Sequence, residues 1–173
     1  MKPHAHGIID DLNAVLGHPL YPLGDAMQRL QEERSLLMEE WNELAVLSRS
    51  ILRHRNSRFH EDEIRWLMEK AGDFREDLRE HAAWTEKQLG PLLEQALEAA
   101  ASLLDDLHAA IRLAENRLDR YLAGLANAAS EPERGREIPD QLLQAGRAFD
   151  ALFRLEERLL DDLWERTGSD GTG

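Results

Sequence analysis

Apolar residues recur at three- and four-residue spacings through four long stretches of this chain, and only Pro91 falls inside one of them. That periodicity is the signature of amphipathic helices, each with one stripe to bury. The first stretch runs from about Leu23 to Arg53 and carries Met27, Leu30, Leu37, Trp41, Leu44, Leu47 and Ile51. The second begins near Glu61 and places Ile64, Leu67, Met68, Ala71, Phe74, Leu78, His81, Trp84 and Leu89 on one side. The third holds Leu97, Leu103, Leu104, Leu107, His108, Ile111, Leu118, Tyr121 and Leu122, and is expected to end near Gly124. After a linker from Leu125 to Ile138, Pro139 and Asp140 suit the first turn of a fourth helix, where proline's missing N–H costs nothing and an acid complements the dipole. It continues through Leu143, Phe149, Leu152, Phe153, Leu159, Leu160 and Leu163 to Trp164. Four such helices have little option but an all-α four-helix bundle.

The domain expected is therefore 23–166, after a lead segment over 1–22 with a short helical turn at Ile8 to Leu16. A disordered tail is expected over 167–173. At 173 residues the chain is long enough to bury one core. Its net charge of −13 opposes binding to nucleic-acid phosphates and anionic membranes. Only Arg53 to His60, RHRNSRFH, is locally basic, and it reads as a solvated interhelical loop. No cysteine is present, which excludes disulfides, thiolate metal sites and cysteine nucleophiles. No apolar run suffices for a secretion signal or a membrane span, so the expected location is the cytoplasm.

The stretch FREDLREHAAWTEKQLGPLLE, starting at Phe74, sets His81, Glu86, Leu89, Pro91 and Leu93 at offsets that resemble the second helix of hemerythrin-like, cation-binding bundles. Thr85 stands where that family has a ligating Glu, and Gly90 replaces an aromatic residue. The resemblance extends over two halves of similar pattern. Glu32-Glu33-Arg34 looks like the family's acid followed by His, with Arg34 in place of the His; Asp105-Asp106-Leu107-His108 keeps it. The last motif reads Leu152 followed by Glu156-Glu157, so Leu152 replaces the final His. Arg34 lies 47 residues before His81, and His108 lies 44 before Leu152. The resemblance implies an up-down-up-down bundle, with inward imidazoles and carboxylates that would hold a pair of iron or manganese ions.

Of the six ligand positions so implied, only His81, His108 and Glu156 keep a usable side chain. Arg34 is an always-charged donor, Leu152 has no lone pair, and Thr85 offers a weak hydroxyl. Glu86 lies about 100° round the helix from the bridging slot. The candidate metal ligands are thus His81, His108, Glu156 and Glu86. The favoured expectation, however, is a relic site. There Arg34, with Thr85 nearby, joins Glu156, His81 and His108 in a buried polar cluster, Arg34 pairing with Glu156 or Glu86. Loss of a buried Arg34 ion pair would cost roughly 3–5 kcal/mol.

The chain reversal between the second and third helices bears on that site. A turn at Gly90-Pro91 would offset His81 and His108 by roughly 12 Å along the axis. The hemerythrin-like geometry instead puts the reversal near Glu94 to Leu97, with Pro91 only kinking the helix. One long bent helix that pairs with another subunit is a third arrangement.

Simpler roles compete at each position. A His on an apolar stripe is more often a satisfied core residue than a ligand, and Asp105 with His108 suits a surface pair. His4, His6, His18, His54 and His60 lie in the lead segment or loop. Trp41, Trp66, Trp84 and Trp164 fit core or interface positions, and the carboxylate pairs Glu156-Glu157 and Asp161-Asp162 fit solvated faces. No Gly-rich phosphate loop, metalloprotease His-Glu-x-x-His or nucleophile with its base is present, so no catalytic residues are assigned. Two functions follow as expectations. One is a non-enzymatic interaction module without a metal centre, acting through helix faces as a homodimer or on a protein partner. The other is a binder of iron or another divalent metal that senses oxygen, nitric oxide or oxidative stress. A plain helical interaction domain unrelated to hemerythrins would require the repeated spacing to be chance.

Overall fold

The computed structural model describes residues 20–53 and 60–169. Every regular element among them is helical: α1 Leu20–Arg53, α2 His60–Trp84, α3 Gly90–Ala96, α4 Ala100–Ser130 and α5 Ile138–Ser169. The four long ones form an all-α bundle, in which α1 packs on α2 and α5, and α4 packs on the same two from the opposite corner. Contacting pairs run in opposite senses along neighbours. Trp41 meets Phe74 while Glu33 meets His81, and Arg117 meets Gln144 while Gly124 meets Gln141. Among the described residues no helix is long and apolar enough to cross a membrane.

The expected stripes supply the core. Leu30, Leu67, Leu78, Leu107, Leu118, Phe149 and Leu152 are wholly buried. Phe149 sits at the centre of an aromatic group, with ring centroids 4.6 Å from Trp41, 5.1 Å from Phe74 and 5.9 Å from Phe153. Such tilted and edge-on pairs add to the burial of their area, so this layer fixes the register of α1, α2 and α5 together. Towards the far end, the Tyr121 hydroxyl meets Ser48 across the core, and Ser48 Oγ also donates to the Leu44 carbonyl at 2.7 Å. Burial pushes the Tyr121 phenol up to about 12, against the opposing pull of the Ser48 hydrogen bond.

Gly90-Pro91 does not reverse the chain. Residues Thr85–Leu89 open into one wide turn in which the Gly90 N–H reaches back five residues to the Thr85 carbonyl. Proline has no N–H for the carbonyl four residues back, and its ring would strike that carbonyl in a regular helix. Widening the preceding turn removes the clash and lets α3 follow on from α2. The chain leaves the helix at Leu97, which is extended at φ −131° and ψ 131°, and α4 starts at Ala100. The reversal therefore falls at 97–99, close to the later of the two sites expected, and the single bent helix is excluded.

Four boundaries differ from expectation. Gly124 does not stop α4, which runs to Ser130 with Leu125 and Ala128 buried. Good helix formers after Gly124 carry the apolar spacing onward, and the glycine instead admits Gln141, whose Oε1 lies 2.0 Å from where a Cβ would be. What read as a long linker is a tight turn over Pro132–Glu137, with Ile138 fully buried. The first helix begins at Leu20, placing Pro22 in its first turn. The last continues to Ser169, where the Thr167 hydroxyl donates to the Leu163 carbonyl at 3.0 Å, so part of the expected tail is helical. The rest of the tail, the turn at 8–16 and the basic stretch 54–59 lie outside the described residues, as do His4, His6, His18 and His54.

Candidate functional site

Two members of the expected polar cluster, His81 and Glu156, meet in the core, while Arg34, His108 and Thr85 do not join them. His81 projects from α2 into the bundle and is 2% exposed. Its Nδ1 lies 2.7 Å from Glu33 Oε2 on α1, and its Nε2 lies 2.6 Å from Glu156 Oε1 on α5. Glu156 is entirely buried, whereas Glu33 reaches the bundle surface and bonds Arg29 at 2.9 Å. Arg29 in turn lies 4.7 Å over the ring of Trp84. The four groups make an alternating chain of charge, Arg29, Glu33, His81, Glu156, from solvent to core.

Burial by itself would lower the His81 pKa. Hydrogen bonds to Glu156 and Glu33, and their charges, overcome it and raise the value to about 9. At neutral pH the ring is therefore an imidazolium, and each N–H donates to a carboxylate. Burial raises the Glu33 carboxyl, but its hydrogen bonds to His81 and Arg29 outweigh that and hold it below the ordinary value.

Arg34 is not part of this cluster. Its Nε donates to the Phe153 carbonyl at 2.9 Å, and a terminal nitrogen lies 3.6 Å from Glu157, which is well exposed. The expected partners, Glu156 and Glu86, are both wrong. The cause is the rotation of α1. Leu30 and Leu37 set the core stripe, residues 33 and 34 flank it on opposite sides, and Glu33 faces α2 while Arg34 faces α5. Arg34→Ala should then cost no more than about 1 kcal/mol, the scale of a half-solvated ion pair, rather than the loss expected for a buried one. Urea unfolding of the single variant checks this.

The other candidates divide similarly. Thr85 is buried, but its hydroxyl donates to the Ala82 carbonyl of its own helix at 2.8 Å. Glu86 is exposed on the wide turn. His108 is half-buried on α4 with Nε2 out of solvent, and neither that nitrogen nor Glu156 Oε2 has a hydrogen-bond partner. Leu152, which stands where the resemblance would have a His, is wholly buried in the core. Among the described residues, no three His, Asp or Glu side chains are grouped so as to hold a metal ion.

These side chains therefore do not fit a diiron centre as they stand. Both ring nitrogens of His81 are engaged as N–H donors to carboxylates, and a protonated imidazole cannot ligate a metal. No protein-family model, no curated protein and no solved structure matches this chain.

A second group of acids lines the cleft between α1 and α2, outside the expected set. Glu40, Glu43, Asp73 and Asp77 surround a hollow that continues towards Glu33 and His81. Burial, then the facing Asp77 carboxyl and the charges of its acidic neighbours, raises Glu40 to about 7. The sequence signal was present, since Glu40 and Asp77 flank the apolar stripes of their helices. Nothing in the sequence indicated that they would face one another.

Proposed function

We propose that this chain is a non-enzymatic, hemerythrin-like bundle that acts through its surface as an interaction module in the cytoplasm, its diiron position taken over by a charge chain. The observation that carries the reading is the double engagement of His81 by Glu33 and Glu156. A diiron protein needs its imidazoles neutral with a nitrogen free for the metal. Here the dication's place as counter-charge to Glu33 and Glu156 is supplied by the imidazolium itself. The chain then needs no metal to keep its core acid satisfied.

A second reading, a divalent-metal binder that senses oxygen, nitric oxide or oxidative stress, is favoured by the two buried atoms without partners, His108 Nε2 and Glu156 Oε2. One experiment separates the two. Untagged protein purified from iron-supplemented cells should contain almost no iron, manganese or zinc, show no visible charge-transfer bands, and melt at the same temperature with or without a chelator. A pair of irons per chain with oxo-to-iron absorption would contradict the first reading and establish the second.

A further inference from the structure

One face of the bundle, the seam between α1 and α5, carries two complementary ends. At one end Leu52, Leu142, Leu143 and Pro139 floor a groove of about 400 Å³ rimmed by Arg49 and Arg53. Neither arginine has an acidic partner among the described residues, so both charges are open to an incoming group. Leu143 in the groove is 51% exposed, and Val46, one turn before Arg49, is 62% exposed. At the other end Trp164 stands half-exposed beside Leu36, with Glu32 opposite and Asp161 one turn back along α5. Glu32 and Arg49 are separated by roughly 26 Å of helix, so the poles are distinct.

We infer that this face pairs two copies of the chain about a twofold axis, Trp164 of each seating in the arginine-rimmed groove of the other. The inference rests on the reading of the protein as a surface-acting module and names its partner. A twofold rotation perpendicular to the seam exchanges the two ends, so each aromatic knob meets an apolar groove and each acidic flank meets two arginines. Both halves of that complementarity lie on the same face, which is what an isologous contact requires. Elsewhere the excess of acid makes copies repel, so opposed basic and acidic ends are the arrangement in which this face attracts itself. Tryptophan and arginine are also the side chains that most often dominate such contacts.

Sedimentation velocity on the full chain, at low and high salt, tests this. The expected species at low salt has twice the 19.8 kDa chain mass. Raising the salt should shift it towards the monomer, because the paired charges are at the rim. Trp164→Ser should be monomeric with unchanged helicity. The natural chain has no cysteine, so a variant carrying both Leu143→Cys and Trp164→Cys should form intermolecular disulfides on mild oxidation. A monomer at all salt concentrations would overturn the inference, as would a dimer indifferent to Trp164→Ser that fails to cross-link. A colourless, metal-free monomer would leave the proposed function standing without this partner, whereas a diiron spectrum would remove that function whatever the mass.

Discussion

Replacing His81 with Leu should destabilise the bundle by about 3–5 kcal/mol, the cost of leaving a buried charge without its partner. Glu156 is fully buried, its Oε1 bonds only His81, and its Oε2 has no partner at all. Without the imidazolium this buried carboxyl is left with no hydrogen-bond partner, which is costly. Glu33 is less affected, because it keeps Arg29 and reaches solvent. Glu156→Leu should be milder, since His81 retains Glu33 and can become neutral. The double variant, His81→Leu with Glu156→Leu, should recover most of the loss, as apolar replacements of buried ion pairs commonly do. Urea unfolding of the three proteins gives the coupling directly. A loss below about 1 kcal/mol for His81→Leu, with additive effects in the double variant, would mean that the pair contributes little.

Stability should also fall as pH rises through neutrality. His81 moves from an ordinary 6.5 to about 9 on folding, so the folded chain holds a proton that the unfolded chain releases. The stabilisation is complete below pH 6.5 and is lost as pH rises through 9, amounting to about 3 kcal/mol if the whole shift is realised. Glu40 adds a shallower trend of the same sign between its ordinary 4.5 and about 7, reduced by solvent screening because it lines a cleft open to water. Glu33, held below its ordinary value, acts oppositely. Its contribution is present above pH 4.5 and disappears as pH falls through its lowered pKa. Stability should therefore peak on the acid side of neutrality. His81→Leu should flatten the limb above pH 6.5, and Glu40→Gln the one below pH 7. Thermal melts across the range measure both. A wild-type curve that rises from pH 6.5 to 9 would show that burial, rather than the carboxylates, governs His81.

The helices were legible because their apolar stripes are long and their breakers few. His81 and Glu156 could be placed at one level from the spacing of the two halves. Glu33 could not be told from Arg34, because Leu30 and Leu37 are seven residues apart and both intervening positions flank the stripe. Only the rotation of α1 against α2 and α5 decides which of them turns towards His81, and that rotation is set by the packing of Trp41 against Phe74 and Phe149. Gly124 misled for a related reason. A glycine after a long apolar run reads as a stop, yet here it makes room for Gln141 inside a continuing helix. Glu156 is buried as the cluster reading expected, whereas its neighbour Glu157 lies on the solvated face.

Nitrogen-15 NMR of the His81 ring, followed from pH 6 to 8 before and after addition of iron(II) or zinc, is the most direct measurement. Both ring nitrogens should appear protonated throughout, with shifts that the metal leaves unchanged. A ring with one bare nitrogen at neutral pH, displaced on adding metal, would contradict the view that two carboxylates have taken the metal's place.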